Sequence, residues 1–181
     1  MATGYLGVIF LALTLLLGPA NLLLRRRNPV SSYLRRDVGI WTAIFSLAHL
    51  VAAVLMHVSH GSSVMSSVAH FVVAEDGRPL TNSFGIGNWT GLAASVIVMA
   101  LLVTSSDVAL RTLKAAPWKW LQRLTYALFA LVVMHAFFYG AFLRIASPFT
   151  LLLIVSIVTV VVGQMTGFWL WRQRRFDGAA T

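Results

Sequence analysis

Residues Val38 to Val58 read VGIWTAIFSLAHLVAAVLMHV, twenty-one positions without Asp, Glu, Lys or Arg and with His49 near the middle. A bilayer's hydrocarbon core, about 30 Å thick, is crossed by about 20 apolar residues in helical form. Only a helix or a closed barrel satisfies every backbone polar group inside lipid. The stretch therefore reads as a transmembrane helix. An ionisable ring at that depth is costly to keep there and marks a functional position.

Working outward, four more runs have the length and composition to span: residues 4–24, 85–104, 121–142 and 149–171, beside 38–58. The chain of 181 residues is 59% hydrophobic and 10% charged, with mean hydropathy +0.82. Soluble domains carry about 25% charged residues. The reading is an all-α membrane protein, a five-helix transmembrane bundle forming one domain over residues 1–181. Gly18-Pro19 predicts a kink near the inner end of the first span. Asn88 and Trp89 place the start of the third near an interface. The first run reads as a span rather than a cleavable signal peptide, because its arginines follow the apolar residues instead of preceding them.

The 14 basic residues sort by loop. Arg25, Arg26, Arg27, Arg35 and Arg36 lie in the first connection. Arg111, Lys114, Lys119 and Arg123 lie around the third, and Arg172, Arg174 and Arg175 follow the last span. Arg78 and Arg144 stand alone in the second and fourth. The positive-inside rule puts the rich side in the cytoplasm, with the N-terminus outside and the C-terminus inside. The net charge of +9 is thereby topology, not nucleic-acid binding, since no basic residues interleave with an aromatic platform. The arrangement is that of a multi-pass protein of a bacterial inner membrane, in contact with lipid.

The absence of cysteine excludes disulfides, iron–sulfur ligation and covalent haem attachment. No glycine-rich nucleotide-binding fingerprint is present. In the second loop, Val64, Val68, Phe71 and Val72 recur at helical spacing and suggest an interfacial helix. Glu75-Asp76-Gly77-Arg78-Pro79 then reads as a turn.

Two histidines lie deep in spans, His49 in the second and His135 in the fourth. His49 is 12 residues beyond Asp37 and His135 is 12 beyond Arg123, roughly 18 Å from the inner boundary at about 1.5 Å per residue. Both spans run the same way, so the two rings share a level in the outer half. Paired imidazoles on facing helices can close both axial positions of a haem, whose chemistry is then one-electron transfer. Ala48, Ala52 and Ala53, with Ala136 and Gly140, would let a flat group approach the backbone. Small residues equally serve plain helix packing, and membrane histidines also serve as hydrogen-bonding glue. Spacing alone leaves both readings open.

His57 and His60 sit at the outer end of the second span, with His70 in the following loop, and offer a small metal site, an alternative ligand set for an outer cofactor, a quinone-side or partner-docking contact, or nothing beyond solvation. Arg35 and Arg36 are anchors for lipid headgroups that also suit a quinone or a flavin phosphate. Trp41, Phe45, Phe137, Phe138 and Tyr139 are candidates to line a cofactor pocket or an aromatic belt.

Several short motifs carry a resemblance. Arg35-Arg36-x-x-Gly39 leads to Ala48-His49-Leu50. Arg78-Pro79 precedes the third span, and Thr104-Ser105 leads to Ala109-Leu110-Arg111. Trp118-x-x-Leu121-x-x-Leu124-x-Tyr126 precedes His135. In this order, from about Thr3 to Trp171, they resemble the ferric reductase-like transmembrane family, and within it the YedZ/MsrQ group of haem-binding membrane subunits. The resemblance implies a b-type haem on His49 and His135, fed by a quinol or a cytoplasmic flavin and passing electrons to an acceptor outside. Two departures matter. The family pattern has a further histidine 13 residues before His135, where this chain has Gln122, and it leads with one more span. Gln122 is a poor iron ligand, suited to packing or hydrogen bonding, so one haem is expected. A membrane quinol or an outside donor then becomes more suitable than a cytosolic flavin reductase.

The resulting reading is an electron-transfer subunit working with a separate redox protein. The alternatives are a haem-free scaffold or assembly subunit, and a stand-alone oxidoreductase acting on a small outside oxidant.

Overall fold

A computed structural model describes residues 2–24, 30–58, 69–143 and 147–177. The helices among them are α1 (Ala2–Leu23), α2 (Val30–Val58), α3 (Ser83–Val103), α4 (Asp107–Leu113), α5 (Ala115–Gln122), α6 (Leu124–Phe138) and α7 (Pro148–Asp177). Five segments are long and apolar enough to cross a membrane: Ala2–Leu23, Tyr33–Met56, Ser83–Val103, Ala116–Phe138 and Pro148–Arg174. Among the described residues there is no strand. Large apolar side chains on the bundle's outside, among them Leu13, Val51, Leu55, Val96, Val155 and Phe168, stand exposed. On a soluble protein such a surface would be a liability. Here it is the face that meets lipid.

Glycines set the helix pairing. Where hydrocarbon solvates both faces of a helix, close backbone approach replaces hydrophobic burial as the cause of association. A β-carbon on Gly4 of α1 would meet the His49 ring of α2 at 3.2 Å, and one on Gly7 would meet Ser46 Oγ at 3.3 Å. On α7, Gly163 and Gly167 receive Leu16 and Pro19 of α1. On α3, Gly87 and Gly91 receive Tyr139 and His135 of α6. The principal packings are thus α1 on α2, α1 on α7 and α3 on α6, with sparser contact of α2 with α3 and of α1 with α6. Leu11, Ala43, Ala94, Val98 and Leu128 fill the centre.

Several polar groups inside the bundle find partners close by. Thr14, Thr42 and Thr90 donate to the carbonyls of Phe10, Val38 and Gly87, which hides a hydroxyl at little cost. Between helices, Gln164 donates from Nε2 to Leu15 O at 2.7 Å and accepts at Oε1 from the Tyr126 hydroxyl. At the arginine-rich end, Arg36 pairs with Asp107 and Arg174 donates to Leu22 O at 2.7 Å, satisfying a carbonyl left over by the last turn of α1.

Local chemistry accounts for the element ends. Asn82 caps α3 by accepting from Gly85 N at 2.7 Å, and Ser106 caps α4 by accepting from Ala109 N. The turn at residues 75–79 closes on an antiparallel bridge between Val73 and Pro79, with Gly77 at φ +79°. Where a kink is expected, α1 runs on through the buried Pro19 to Leu23. The fourth span begins earlier than residue 121, as α5, steps at Arg123 into α6, and ends at Phe138 rather than 142. Its stop is a Schellman motif: Ala141 N donates to Ala136 O at 3.0 Å and Gly140 N to Phe137 O at 2.9 Å. Gly140 takes the left-handed φ of +71° that this motif requires. Most of the interfacial helix expected around residues 62–72 lies outside the described residues.

Candidate functional site

His49 projects from the middle of α2, and His135 from the last turn of α6. Their ring centres are 6.4 Å apart and their planes stand at 85°. One iron holding two imidazoles at about 2 Å per bond sets the ring centres about 6 to 6.5 Å apart. The pair has the spacing of two axial ligands, although they belong to helices 86 positions apart in sequence.

Each ring rests on a glycine of a neighbouring helix. Gly4 of α1 lies under His49. Gly91 of α3 lies under His135 so closely that a β-carbon would come within 2.7 Å of Nδ1. Nδ1 of His135 lies 2.8 Å from the Gly87 carbonyl. A carbonyl only accepts, so Nδ1 carries the proton and Nε2 keeps its lone pair. Metal-ligating histidines in general anchor their second nitrogen in this way. The imidazole donors and their spacing fit a metal cofactor held between two histidines, and the glycines make room for the rings.

Four residues around His135 went unrecognised in the sequence as parts of one cluster. Gly87 and Gly91 are spaced four apart on α3, a small-x-x-x-small signal present in the third span. Tyr139 packs on the His135 ring with 4.8 Å between centres, and its phenol donates to Asn88 Oδ1. Asn88, 8% exposed, donates from Nδ2 to Phe71 O at 2.7 Å. Of the candidate aromatics, Tyr139 is the one whose ring lies on a histidine. Trp41 and Phe45 stack instead with Phe10 on the α1–α2 face, and Phe137 packs on Phe138 and Phe142. Gly140 closes a helix end.

His57 is on the last turn of α2, with its side chain outside the described residues, and His60 lies outside them altogether. His70 is exposed at a helical position immediately before the turn at Phe71. Among the described residues, no group of three or more His, Cys, Asp or Glu is arranged to hold a metal ion. Arg35 and Arg36 lie at the opposite end of α2 from His57. Arg36 is engaged with Asp107 and lies over the Tyr33 ring at 5.4 Å. Gln122, at the end of α5, buries its Nε2 with no hydrogen-bond partner. It packs without forming the bond expected of that donor.

Two curated relatives align over nearly the whole chain. One is the protein-methionine-sulfoxide reductase heme-binding subunit MsrQ of Ralstonia nicotianae, 27% identical over 176 residues, covering 96% of this chain and 72% of the relative. The other is MsrQ of Herminiimonas arsenicoxydans, 24% identical over 177 residues, covering 98% of this chain and 73% of the relative. No solved structure matches significantly. The family model described as ferric reductase like transmembrane component matches residues 3–133, a stretch that takes in His49 and stops two residues short of His135. With a bundle of five spanning-length helices and a match over most of its length, the chain belongs to the ferric reductase like transmembrane family.

Proposed function

We propose that this multi-pass membrane protein is an electron-transfer subunit that holds one b-type haem between His49 and His135 and serves a separate redox protein. The observation that carries the reading is the 6.4 Å spacing of the two imidazole rings. The relatives' names, haem-binding subunits of a methionine-sulfoxide reductase, support both the cofactor and the existence of a partner.

A haem held by His49 and His135 would supply one-electron redox chemistry. The chain's own residues do the rest. His135 offers Nε2 because the Gly87 carbonyl holds the proton on Nδ1. His49 is held against α1 at Gly4. The basic end faces the cytoplasm of a bacterial inner membrane by the positive-inside rule. The histidines then lie toward the outer face, where the acceptor protein works. Gln122 in the inner half leaves that region without a second imidazole, so a quinol in the membrane is the proposed donor rather than a cytosolic flavin reductase.

The test is spectroscopic. The purified chain is expected to show a low-spin Soret band and one haem per polypeptide, with the band lost in His49→Ala and His135→Ala while helicity persists. A quinol analogue should reduce the haem, and a flavin reductase without quinone should not. A folded, colourless wild-type preparation overturns the reading in favour of a haem-free scaffold.

A further inference from the structure

Tyr139 follows His135 by four residues, one helical turn, so its ring falls on the same face of α6. That turn is the last of the helix, where backbone hydrogen bonds run out and side chains are least constrained. Tyr139 is nevertheless fixed at three points. Its ring lies 3.0 Å from where a β-carbon on Gly87 would stand. Its face meets His135 at 4.8 Å between centres, and its phenol donates to Asn88 Oδ1. Asn88 is oriented in turn: Oδ1 accepts from Tyr139, so Nδ2 is the end that donates to Phe71 O. Gly87 and Asn88 are consecutive residues. One turn of α3 therefore grips His135 through a carbonyl and Tyr139 through a side chain. The Gly87 carbonyl also accepts from Thr90 Oγ1 at 2.7 Å, which fixes the direction of the acceptor that His135 uses.

We propose that Tyr139 and Asn88 are positioning residues for His135: together they hold its imidazole against Gly87 O as the Nδ1–H tautomer, with Nε2 free to bind iron. The inference rests on the proposed haem site in its final clause only. The tautomer itself is a property of the chain. A buried asparagine needs partners for both ends of its amide, and here those partners are the loop at Phe71 and the ring that overlies the histidine. The lock therefore ties the geometry of an axial ligand to the segment that leads into α3.

The test uses Tyr139→Phe, Tyr139→Leu and Asn88→Ala, with Tyr126→Phe as the control that breaks a tyrosine hydrogen bond elsewhere in the bundle. In haem-free protein labelled with 15N-histidine, the wild type and the control are expected to show His135 as a single Nδ1–H tautomer, and the three variants a mixture. In haem-loaded protein, Tyr139→Leu and Asn88→Ala are expected to shift the largest ferric g value and the midpoint potential. They should also release haem to apomyoglobin about tenfold faster, with Tyr139→Phe between them and the wild type. Folded variants that keep the wild-type tautomer, g value and potential overturn the proposal, even if their melting temperature falls. A wild type that binds no haem but keeps the single tautomer, lost in the variants, sinks the proposed function and leaves the lock standing.

Discussion

Gly91 and His135 are in such close register that the imidazole occupies the volume a side chain on residue 91 would need: a β-carbon would stand 2.7 Å from Nδ1 and 2.9 Å from Cε1. Neither the ring nor the helix backbone can yield without breaking the bond from Nδ1 to Gly87 O. Gly91→Ala is expected to push His135 off its axis and abolish haem binding, at a cost of about 1–3 kcal/mol of stability. Gly4→Ala, with its β-carbon at 3.2 Å from His49, should be milder and retain a weakened Soret band. Absorption spectra and thermal melts of the two variants give the comparison.

Gly140 acts on the fold rather than on the cofactor. Its φ of +71° closes the Schellman motif that ends α6. Gly140→Ala is expected to cost about 1–2 kcal/mol, the strain of an L-residue in the left-handed region. The haem spectrum should stay as in wild type. Loss of haem with unchanged stability would instead make this glycine part of the cofactor pocket.

Gln122 carries a buried Nε2 without an acceptor. An unsatisfied buried donor costs about 1–3 kcal/mol. Gln122→Met keeps the volume and removes the donor, so it should raise stability by about 1 kcal/mol at unchanged haem content. A drop in stability would show that the amide has a partner in the membrane.

Gln164 bridges α7 to α1 through Leu15 O and also accepts from Tyr126 of α6. Interhelical hydrogen bonds in membranes are worth about 0.6 kcal/mol on average, with a maximum near 1.7. Gln164→Leu should therefore weaken the bundle by no more than about 1.7 kcal/mol and leave the haem spectrum intact, as read by unfolding in detergent.

Much of this arrangement was legible in the sequence, and the part that was not has a physical reason. The five spans could be read because twenty uncharged apolar residues have few other uses. The shared depth of His49 and His135 followed from counting residues from a charged boundary along two helices of the same direction. What counting cannot give is which helix faces which. Spans apolar on every side carry little amphipathic signal, so the pairing of α3 with α6 is written in Gly87 and Gly91, whose meaning appears only with the partner in place. Asn88 read as an interface residue, and Tyr139 as one aromatic among five, because their bond joins residues 51 positions apart. Arg36 read as an anchor, and its pairing with Asp107, 71 positions away, was equally hidden. Gly140 has the opposite history. Beside His135 in sequence it suggested a cofactor surface, while its backbone angle makes it a helix terminator.

The packing also divides the bundle in two. His49 belongs to the trio of α1, α2 and α7, and His135 to the couple of α3 and α6, with thinner contact along the boundary. A prosthetic group seated on both imidazoles would rivet the two halves together, since a ligand bound only by the native arrangement stabilises it by mass action. Without that group the seam would rest on the apolar centre shared by Leu11, Ala43, Ala94, Val98 and Leu128 and on the bond from Tyr126 to Gln164. Cofactor supply would then govern how long each copy escapes degradation.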